Sequence, residues 1–367
     1  MSPETSAALH QRALARVTAF VASAPPPEPF DALACDVARY QVARSEGFAR
    51  LCRARGADPA TLASAEAIPP VPTDAFKLTR VSTFAPAETA LTFRTSGTTA
   101  SARGEHFFRD VTTYEAAAVA FGRHWLARDL TAPVPVIVLG PSPAEAPDSS
   151  LVHMCASFVK ELGVPASAAE TYLIDAEGVL DLATFDERVA IALANNQPML
   201  VLGTSFAFVH FIDGLGKDSF PLPRGSRVMQ TGGYKGRSRE VPADVLRSDL
   251  ARAFGLDRRA IVAEYGMTEL SSQFYERTLW EPMAPHNRYA SPPWARVIPV
   301  DPDTLEPVAD GEVGIAKIID LLNVDSAVAI LTQDRVRRID DSFELLGRAP
   351  GAPSRGCSIA IDELLGG

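Results

Sequence analysis

Four short segments of this chain carry residue types that can bind phosphate, a divalent cation and a ribose. The first is Thr95-Ser96-Gly97-Thr98-Thr99. Five small residues in a row, four of them hydroxylic, are poor material for a helix or a core. They suit a loop around an anion, where backbone N–H groups and hydroxyls converge on oxygens and Gly97 lets the main chain come close. A polar turn has the same composition. No Gly-Lys-Ser/Thr follows, so this is not a Walker loop.

The second segment is Glu264-Tyr265-Gly266-Met267-Thr268-Glu269, directly after the apolar run Ile261–Ala263. Thr268 can donate to a phosphate, and Glu269 can hold Mg²⁺, which takes oxygen ligands and keeps waters and substrate phosphates. Tyr265 offers a flat face to a ring. The alternative is that Glu269 opens a following helix, favoured there by the helix dipole. The third is Thr332-Gln333-Asp334, after Val328–Leu331. An aspartate at a strand end can accept both hydroxyls of a ribose, or it can be an ordinary turn residue. The fourth is Gly347-Arg348, followed by Ser354-Arg355-Gly356-Cys357-Ser358. Arg348 has the fixed donors for a ribose or phosphate contact, or is a solvated surface arginine. Arg348 and Arg355 flank Cys357 in sequence and would lower the pKa of its thiol from about 8.5. Otherwise Cys357 is a small residue in a β-turn.

The elements that must position these segments change character along the chain. Leu9, Leu14, Val17, Phe20 and Val21 predict a first helix, with Ser2-Pro3 as cap and first turn. The stretch APPPEP, residues 24–29, breaks it. A second helical pattern runs from Phe30 to Arg55, and IPPVPTDAFK, residues 68–77, is extended. From about residue 90 short apolar runs alternate with helical patterns: Leu91–Phe93, Val134–Leu139, Met199–Leu202, Arg227–Gln230 and Ile261–Glu264 as strands. Between them, one helix is expected behind a capping Asp181, and another from Pro242 to Gly255. That alternation predicts an α/β region with mostly parallel strands flanked by helices, and functional residues in loops at the strand ends. After about residue 290 the expected strands are Trp294–Val300, Val313–Ile319, Ala327–Leu331 and Phe343–Leu346. The expected organisation is a helical N-terminal segment (1–90), an α/β nucleotide- and acyl-binding region (91–290) and a small β-rich subdomain with a hinge-like C-terminal segment (291–367).

The composition narrows the class. Hydrophobic residues are 47% and charged residues 22% of 367, with net charge −10, which fits a globular chain and argues against a general basic grip on nucleic acid. Cys35, Cys52, Cys155 and Cys357 lie too far apart for zinc-ligand spacing, and the first three fall in helical patterns that read as core. No run reaches the ~20 apolar residues of a membrane span, and the N-terminus lacks the apolar stretch of a signal peptide, so a reduced, cytoplasmic protein is expected. The stretch SFAFVHF (residues 205–211) is helical and apolar. Phe206, Phe208, Phe211 and His210 in it are either the lining of an acyl pocket or plain core.

Together the four segments resemble, in order and rough spacing, the motifs of the adenylate-forming (ANL) superfamily of acyl-CoA synthetases, adenylation domains and luciferases. TSGTT is similar to its phosphate loop, EYGMTE to its Tyr-Gly-x-Thr-Glu motif and TQD to its ribose motif. The GR with the later RG turn is similar to its hinge. VPTDAFK (71–77), QTGGYKG (230–236), GRAPGAPSRGCS (347–358) and DELL near the C-terminus look like the acyl-protein synthetase, or LuxE-type, family, from about residue 30 onward. The resemblance implies an ANL-type adenylating N-terminal domain without the large C-terminal domain, using ATP and Mg²⁺. Thr95, Ser96, Gly97, Thr98 and Thr99 would hold phosphates. Gly232, Gly233 and Tyr234, with Tyr265 and Gly266, would form the adenine wall. Thr268 would touch the α-phosphate, Glu269 the Mg²⁺, and Asp334 the ribose with Arg348 nearby. Cys357 would accept the acyl group. By the same resemblance the substrate would be a carboxylic acid of the fatty acyl class, and the partner an acyl reductase. The sequence departs from the superfamily at Ala100-Ser101-Ala102-Arg103-Gly104, where Gly-x-Pro-Lys is usual, and a mobile lysine has no counterpart. Lys235 or Arg103 would supply part of that charge. An acyl- or aryl-CoA ligase and a non-catalytic nucleotide-binding subunit are the competing readings.

Overall fold

Thr5, not Ser2, caps the first helix (Ser6–Val21), its hydroxyl accepting from the amide of Ala8; Ser2 and Pro3 lie outside the described residues. The computed structural model describes residues 4–96, 102–175, 177–216, 219–232, 241–350 and 355–366. The second helical pattern is two helices, Phe30–Val42 and Glu46–Ala54. Ser45 separates them by capping the latter through Phe48 N. Among the described residues the strands are β1 (Val71–Pro72), β2 (Leu91–Arg94), β3 (Glu105–Phe108), β4 (Val136–Leu139), β5 (Leu200–Thr204), β6 (Arg227–Thr231), β7 (Ile261–Tyr265), β8 (Phe274–Glu276), β9 (Arg288–Ala290), β10 (Ala295–Val300), β11 (Val313–Asp320), β12 (Ala329–Ile339) and β13 (Ser342–Arg348). The chain divides into two compact units. One comprises Met1–Ala120, Met267–Gln273 and Asn287–Gly367; the other comprises Phe121–Gly266 and Phe274–His286.

In the second of these units β4, β5, β6 and β7 pair in parallel in that order, and β8 joins β7 antiparallel. β4, β6 and β7 are buried throughout, the pattern of a parallel sheet covered on both faces. Helices Leu182–Ala194, Ser205–Leu215 and Ala243–Phe254 contribute to its core, where Phe185, Phe208, Phe211 and Phe254 have no exposure. Phe208 and Phe211 are therefore core residues, Phe206 is half-buried, and His210 is exposed. Asp181 caps its helix through Thr184 N, and Gly255 ends its helix in the left-handed region at φ 61°.

In the first unit β10, β11, β12, β13 and β9 form an antiparallel series, and β1 lies parallel to β12 through Val71–Ile330 and Pro72–Leu331. β12 continues eight residues past the expected end at Leu331, to Ile339, so Asp334 sits within a strand, at a bulge, rather than at a strand terminus. The run Leu91–Phe93 belongs to a two-stranded antiparallel hairpin, β2–β3, not to the parallel sheet. Arg355–Leu365 is a helix where a turn was the expected alternative. It is fastened to the helix Glu46–Ala54 and the residue after it: Arg50 Nη2 donates to Leu364 O at 2.7 Å, and Arg55 Nε meets Glu363 Oε2 at 2.6 Å.

The buried carboxylate of Asp325 binds the N-terminal segment to this unit. It accepts from Ser6 Oγ (2.8 Å), His10 Nε2 (3.2 Å), Tyr40 OH (2.9 Å), Thr83 Oγ1 (2.8 Å) and Arg109 Nη2 (2.7 Å). No helix among the described residues is long and apolar enough to cross a membrane.

Candidate functional site

The hydroxyl-rich turn grows out of the β2–β3 hairpin, whose neck is closed by its own hydrogen bonds. Thr95 N donates to Gly104 O at 2.9 Å, and Gly104 N donates to Thr95 Oγ1 at 2.8 Å. Arg103 Nε donates to Thr95 O at 2.7 Å. Arg103 is therefore engaged at the neck of the turn. A side chain at Gly104 would meet Thr95 Cγ2 at 3.1 Å, a tight contact that would require the threonine to shift by a few tenths of an ångström. Ser96 is exposed and Thr95 half-buried. Gly97, Thr98 and Thr99 lie outside the described residues, as does Lys235.

The hairpin is joined to the Thr268–Glu269 segment by a buried histidine. His106 stands opposite Phe93 in the hairpin register, and its Nδ1 donates to the carbonyl oxygen of Thr268 at 2.8 Å. Burial pushes the imidazole down to about 4, against the opposing effect of that hydrogen bond, so the ring is neutral at ordinary pH. Phe76 and Phe108 hold the ring, with centroids at 5.8 and 4.3 Å.

Glu269 is only 6% exposed. No helix follows it, which removes the helix-dipole explanation for a carboxylate at this position. The chain turns through Leu270 N to Met267 O instead. Two side chains from the 320–323 turn fix the path. Asp320, with no exposure, accepts from Ser271 N (2.8 Å), Ser272 Oγ (2.7 Å) and Leu322 N (3.1 Å). Asn323 Nδ2 donates to Glu269 O at 2.9 Å, and its Oδ1 accepts from Ser271 Oγ at 2.7 Å. Burial raises Asp320 to about 6 despite these donors. Gln41 holds the turn from the other side through the carbonyls of Asn323 and Val324.

Asp334 and Arg348 are register partners across β12 and β13. Asp334 is half-buried and Arg348 exposed. The VPTDAFK segment lies under the TQD segment: Thr73 N donates to Leu331 O at 3.0 Å, and Gln333 Nε2 donates to Asp74 Oδ2 at 2.7 Å.

In the other unit, Gly232 follows the carboxyl end of β6, with φ 70°, and Tyr265 ends β7, with Gly266 next. Ligands in parallel sheets sit outside such strand ends. Ser205 Oγ bonds Gln230 Oε1 (3.0 Å) and Gly232 O (2.9 Å), which sets the exit of β6. Thr231 Oγ1 donates to the buried Glu264, whose carboxyl is pushed up to about 7 by burial. Tyr265 is 8% exposed, with its ring 5.9 Å from Phe274. Gly233 and Tyr234 lie outside the described residues.

Cys357 departs from expectation. It lies in the first turns of the C-terminal helix at 2% exposure, and burial, helped by Asp74, pushes its thiol up to about 11. The flanking arginines do not lower it, because desolvation of a thiolate outweighs charges that face solvent. None of the four cysteines is in a disulfide, and all are buried. A cavity of about 520 Å³ in the first unit, lined by Leu51, Arg55, Ile68, Leu305, Lys317 and Ala360 among others, contains none of the expected site residues.

Oxygen donors alone (a carboxylate at Glu269 and the hydroxyls of Thr95, Ser96 and Thr268) suit Mg²⁺. Among the described residues no group of three His, Cys, Asp or Glu side chains could hold a metal by itself. His106, Asp320 and Asn323 were not identified from sequence. Their signal is a polar residue inside an apolar run, in EHFF and IIDLLNV.

The fold is that of the adenylate-forming ligases. A 2-hydroxyisobutyryl-CoA ligase solved with 2-HIB-AMP and CoA is 14% identical at a TM-score of 0.57, over 94% of this chain and 69% of that one. An ATP-bound MatB from Rhodopseudomonas palustris is 12% identical at a TM-score of 0.49, over 71% of this chain and 48% of that one. Within that class the acyl-protein synthetase, LuxE, profile matches residues 30–366, and the chain belongs to this family. It is similar to the long-chain-fatty-acid–luciferin-component ligase of Aliivibrio fischeri, with 27% identity over 126 residues. That match spans 32% of each chain, about a third of the curated relative's length.

Proposed function

We propose that this chain uses ATP and Mg²⁺ to convert a fatty or related carboxylic acid into an acyl-adenylate and then passes the acyl group to a cysteine thiol, for delivery to an acyl reductase. The reading rests on the family match together with one geometric observation: the hairpin bearing Thr95 and Ser96 is hydrogen-bonded, through His106, to the backbone of Thr268 beside Glu269.

A carboxylate is a poor electrophile because oxide would have to leave. In the proposed first step its oxygen bonds to the α-phosphorus of ATP while the bond from that phosphorus to the bridging oxygen breaks, releasing pyrophosphate. Negative charge spreads over phosphate oxygens, so aligned donors govern the rate. Ser96, Thr268 and the backbone of the turn, with Gly97, Thr98 and Thr99, are the donors; Thr95 contributes with its hydroxyl shared with the neck. Mg²⁺, when bound, supplies charge neutralisation at those oxygens, and Glu269 holds it. Asp334 accepts from the ribose hydroxyls with Arg348 opposite, and Gly232, Gly233, Tyr234, Tyr265 and Gly266 contribute the adenine wall.

In the second step a thiolate attacks the acyl carbonyl and AMP leaves. Cys357 is the proposed nucleophile. Its burial means that the helix Arg355–Leu365 must shift and the thiol must lose its proton before transfer.

Acid-dependent exchange of labelled pyrophosphate into ATP, over a panel of acids, tests the first step; no exchange with any acid rejects it. Hydroxylamine-sensitive labelling by ATP and a fatty acid, lost in Cys357→Ser, tests the second. The burial of Cys357 favours one competing reading, an acyl-CoA ligase. CoA-dependent AMP formation without enzyme acylation would establish that instead.

A further inference from the structure

We propose that His106 is a positioning residue for adenylation: by donating from Nδ1 to the carbonyl of Thr268 it sets the register between the turn that carries Thr95 and Ser96 and the segment that carries Thr268 and Glu269. The inference deepens the proposed function and rests on it.

The two pieces are far apart in sequence and, among the described residues, share no β-pairing to align them. His106 is 162 residues from Thr268, and its bond at 2.8 Å is directional. The ring cannot swing away. It is buried at 2% exposure, closed in by Phe76 and Phe108, and its strand is paired to Phe93, two residues before Thr95. The receiving segment is equally held. Asp320 and Asn323 bond Ser271, Ser272 and the carbonyl of Glu269, so the pull of His106 falls on a fixed backbone. A carbonyl oxygen only accepts, which assigns the Nδ1–H tautomer, and burial keeps the imidazole neutral down to about pH 4. His106 itself is given no proton transfer and no contact with substrate. A phosphate loop and a metal carboxylate that are misplaced by about an ångström forfeit much of the alignment on which the chemical step depends.

The test compares three variants in the full chain by acid-dependent pyrophosphate exchange, each with its melting temperature. In His106→Asn the amide nitrogen stands near the place of Nδ1 and can still donate to Thr268. In His106→Gln the amide reaches the place of the other ring nitrogen. His106→Phe keeps bulk and removes the donor. The expected result is a kcat reduced about tenfold to a hundredfold in Gln and Phe, with the KM for ATP within about threefold. Asn should recover kcat to within about threefold of wild type while melting no higher than Gln. Because Asn and Gln are both polar and differ by one methylene, their comparison stands even where Phe does not fold. Equal kcat values for Asn and Gln, or a Phe variant with wild-type kcat, overturn the role of His106. A wild type that catalyses no exchange overturns the reading of the site instead.

Discussion

Asp334 and Arg348 stand opposite each other across two antiparallel strands, at the place where a bulge interrupts their pairing. The bulge turns the strand locally, and Asp334 N donates to Thr332 Oγ1 at 3.0 Å, which fixes the main chain at this position. If Asp334 accepts both ribose hydroxyls, Asp334→Ala raises the dissociation constant for ATP about tenfold to a hundredfold, from about 1.5–3 kcal/mol of charge-assisted bonding. Calorimetric titration with ATP checks this. Unchanged affinity removes Asp334 from the site.

Two buried groups give stability opposite dependences on pH. His106 has its pKa lowered from 6.5 to about 4 by burial. Between those values the unfolded chain takes up a proton that the folded one refuses, so stability is lost as pH falls from about 6.5 to about 4. Glu264 is raised from 4.5 to about 7 by burial, so its contribution is complete below 4.5 and is lost as pH rises through about 7. Each effect is at most about 3 kcal/mol. The two windows overlap and largely cancel in the wild type, so denaturant unfolding between pH 4.5 and 7 should show stability falling with rising pH in His106→Phe and rising with pH in Glu264→Gln. Parallel curves for both variants and wild type contradict the assignment.

Asp325 is a buried carboxylate on which burial and hydrogen bonding oppose each other. Burial raises its pKa, but donation from His10, Arg109, Thr83 and Ser6 outweighs it and holds the carboxyl well below the usual carboxylate range. Its stabilisation is present above about pH 4 and declines only as pH falls below that. Asp325→Ala leaves those donors without their acceptor and should cost about 3 kcal/mol or more. The thermal melt reads this out. The kcat of the folded fraction should stay at the wild-type value, because the residue touches none of the proposed site.

The thiol of Cys357, at about 11, carries roughly a hundredfold less thiolate at pH 8 than an unfolded cysteine. Iodoacetamide should therefore modify the Cys357 peptide at least about a hundred times more slowly in the native protein than in denaturant, followed by mass spectrometry. A native rate near the unfolded one would mean that the C-terminal helix already stands open. Acceleration on adding ATP and a fatty acid would show that the helix moves during turnover.

The parallel strands β4 to β7 were legible because strands buried on both faces read as unbroken apolar runs, and each begins and ends within two residues of its run. The apolar signal of β12 stops at Leu331 because QDRVRR alternates in a half-exposed strand and resembles a charged loop. The break at Ser45 was hidden inside a continuous apolar period, and the final helix was masked by a glycine beside Cys357. The phosphate and metal motifs are local in sequence, so their residue types declared themselves. What holds them did not. A lone His106 or Asp320 in an apolar run looks the same whether it is an isolated polar residue or a bracket, until the partner distant in sequence is known.

β1 has only two residues, yet it covers Ile330 and Leu331 on the side where β13 pairs with β12 only from Asp334 onward. A shortened chain starting near residue 91 would leave that stretch as a bare apolar rim beside the TQD segment, open to recruitment by other chains. Trimming the N-terminus for expression or crystallisation should therefore yield oligomers and precipitate rather than a tidier enzyme. A protease nick in the 56–67 stretch should leave its two pieces still clasped together.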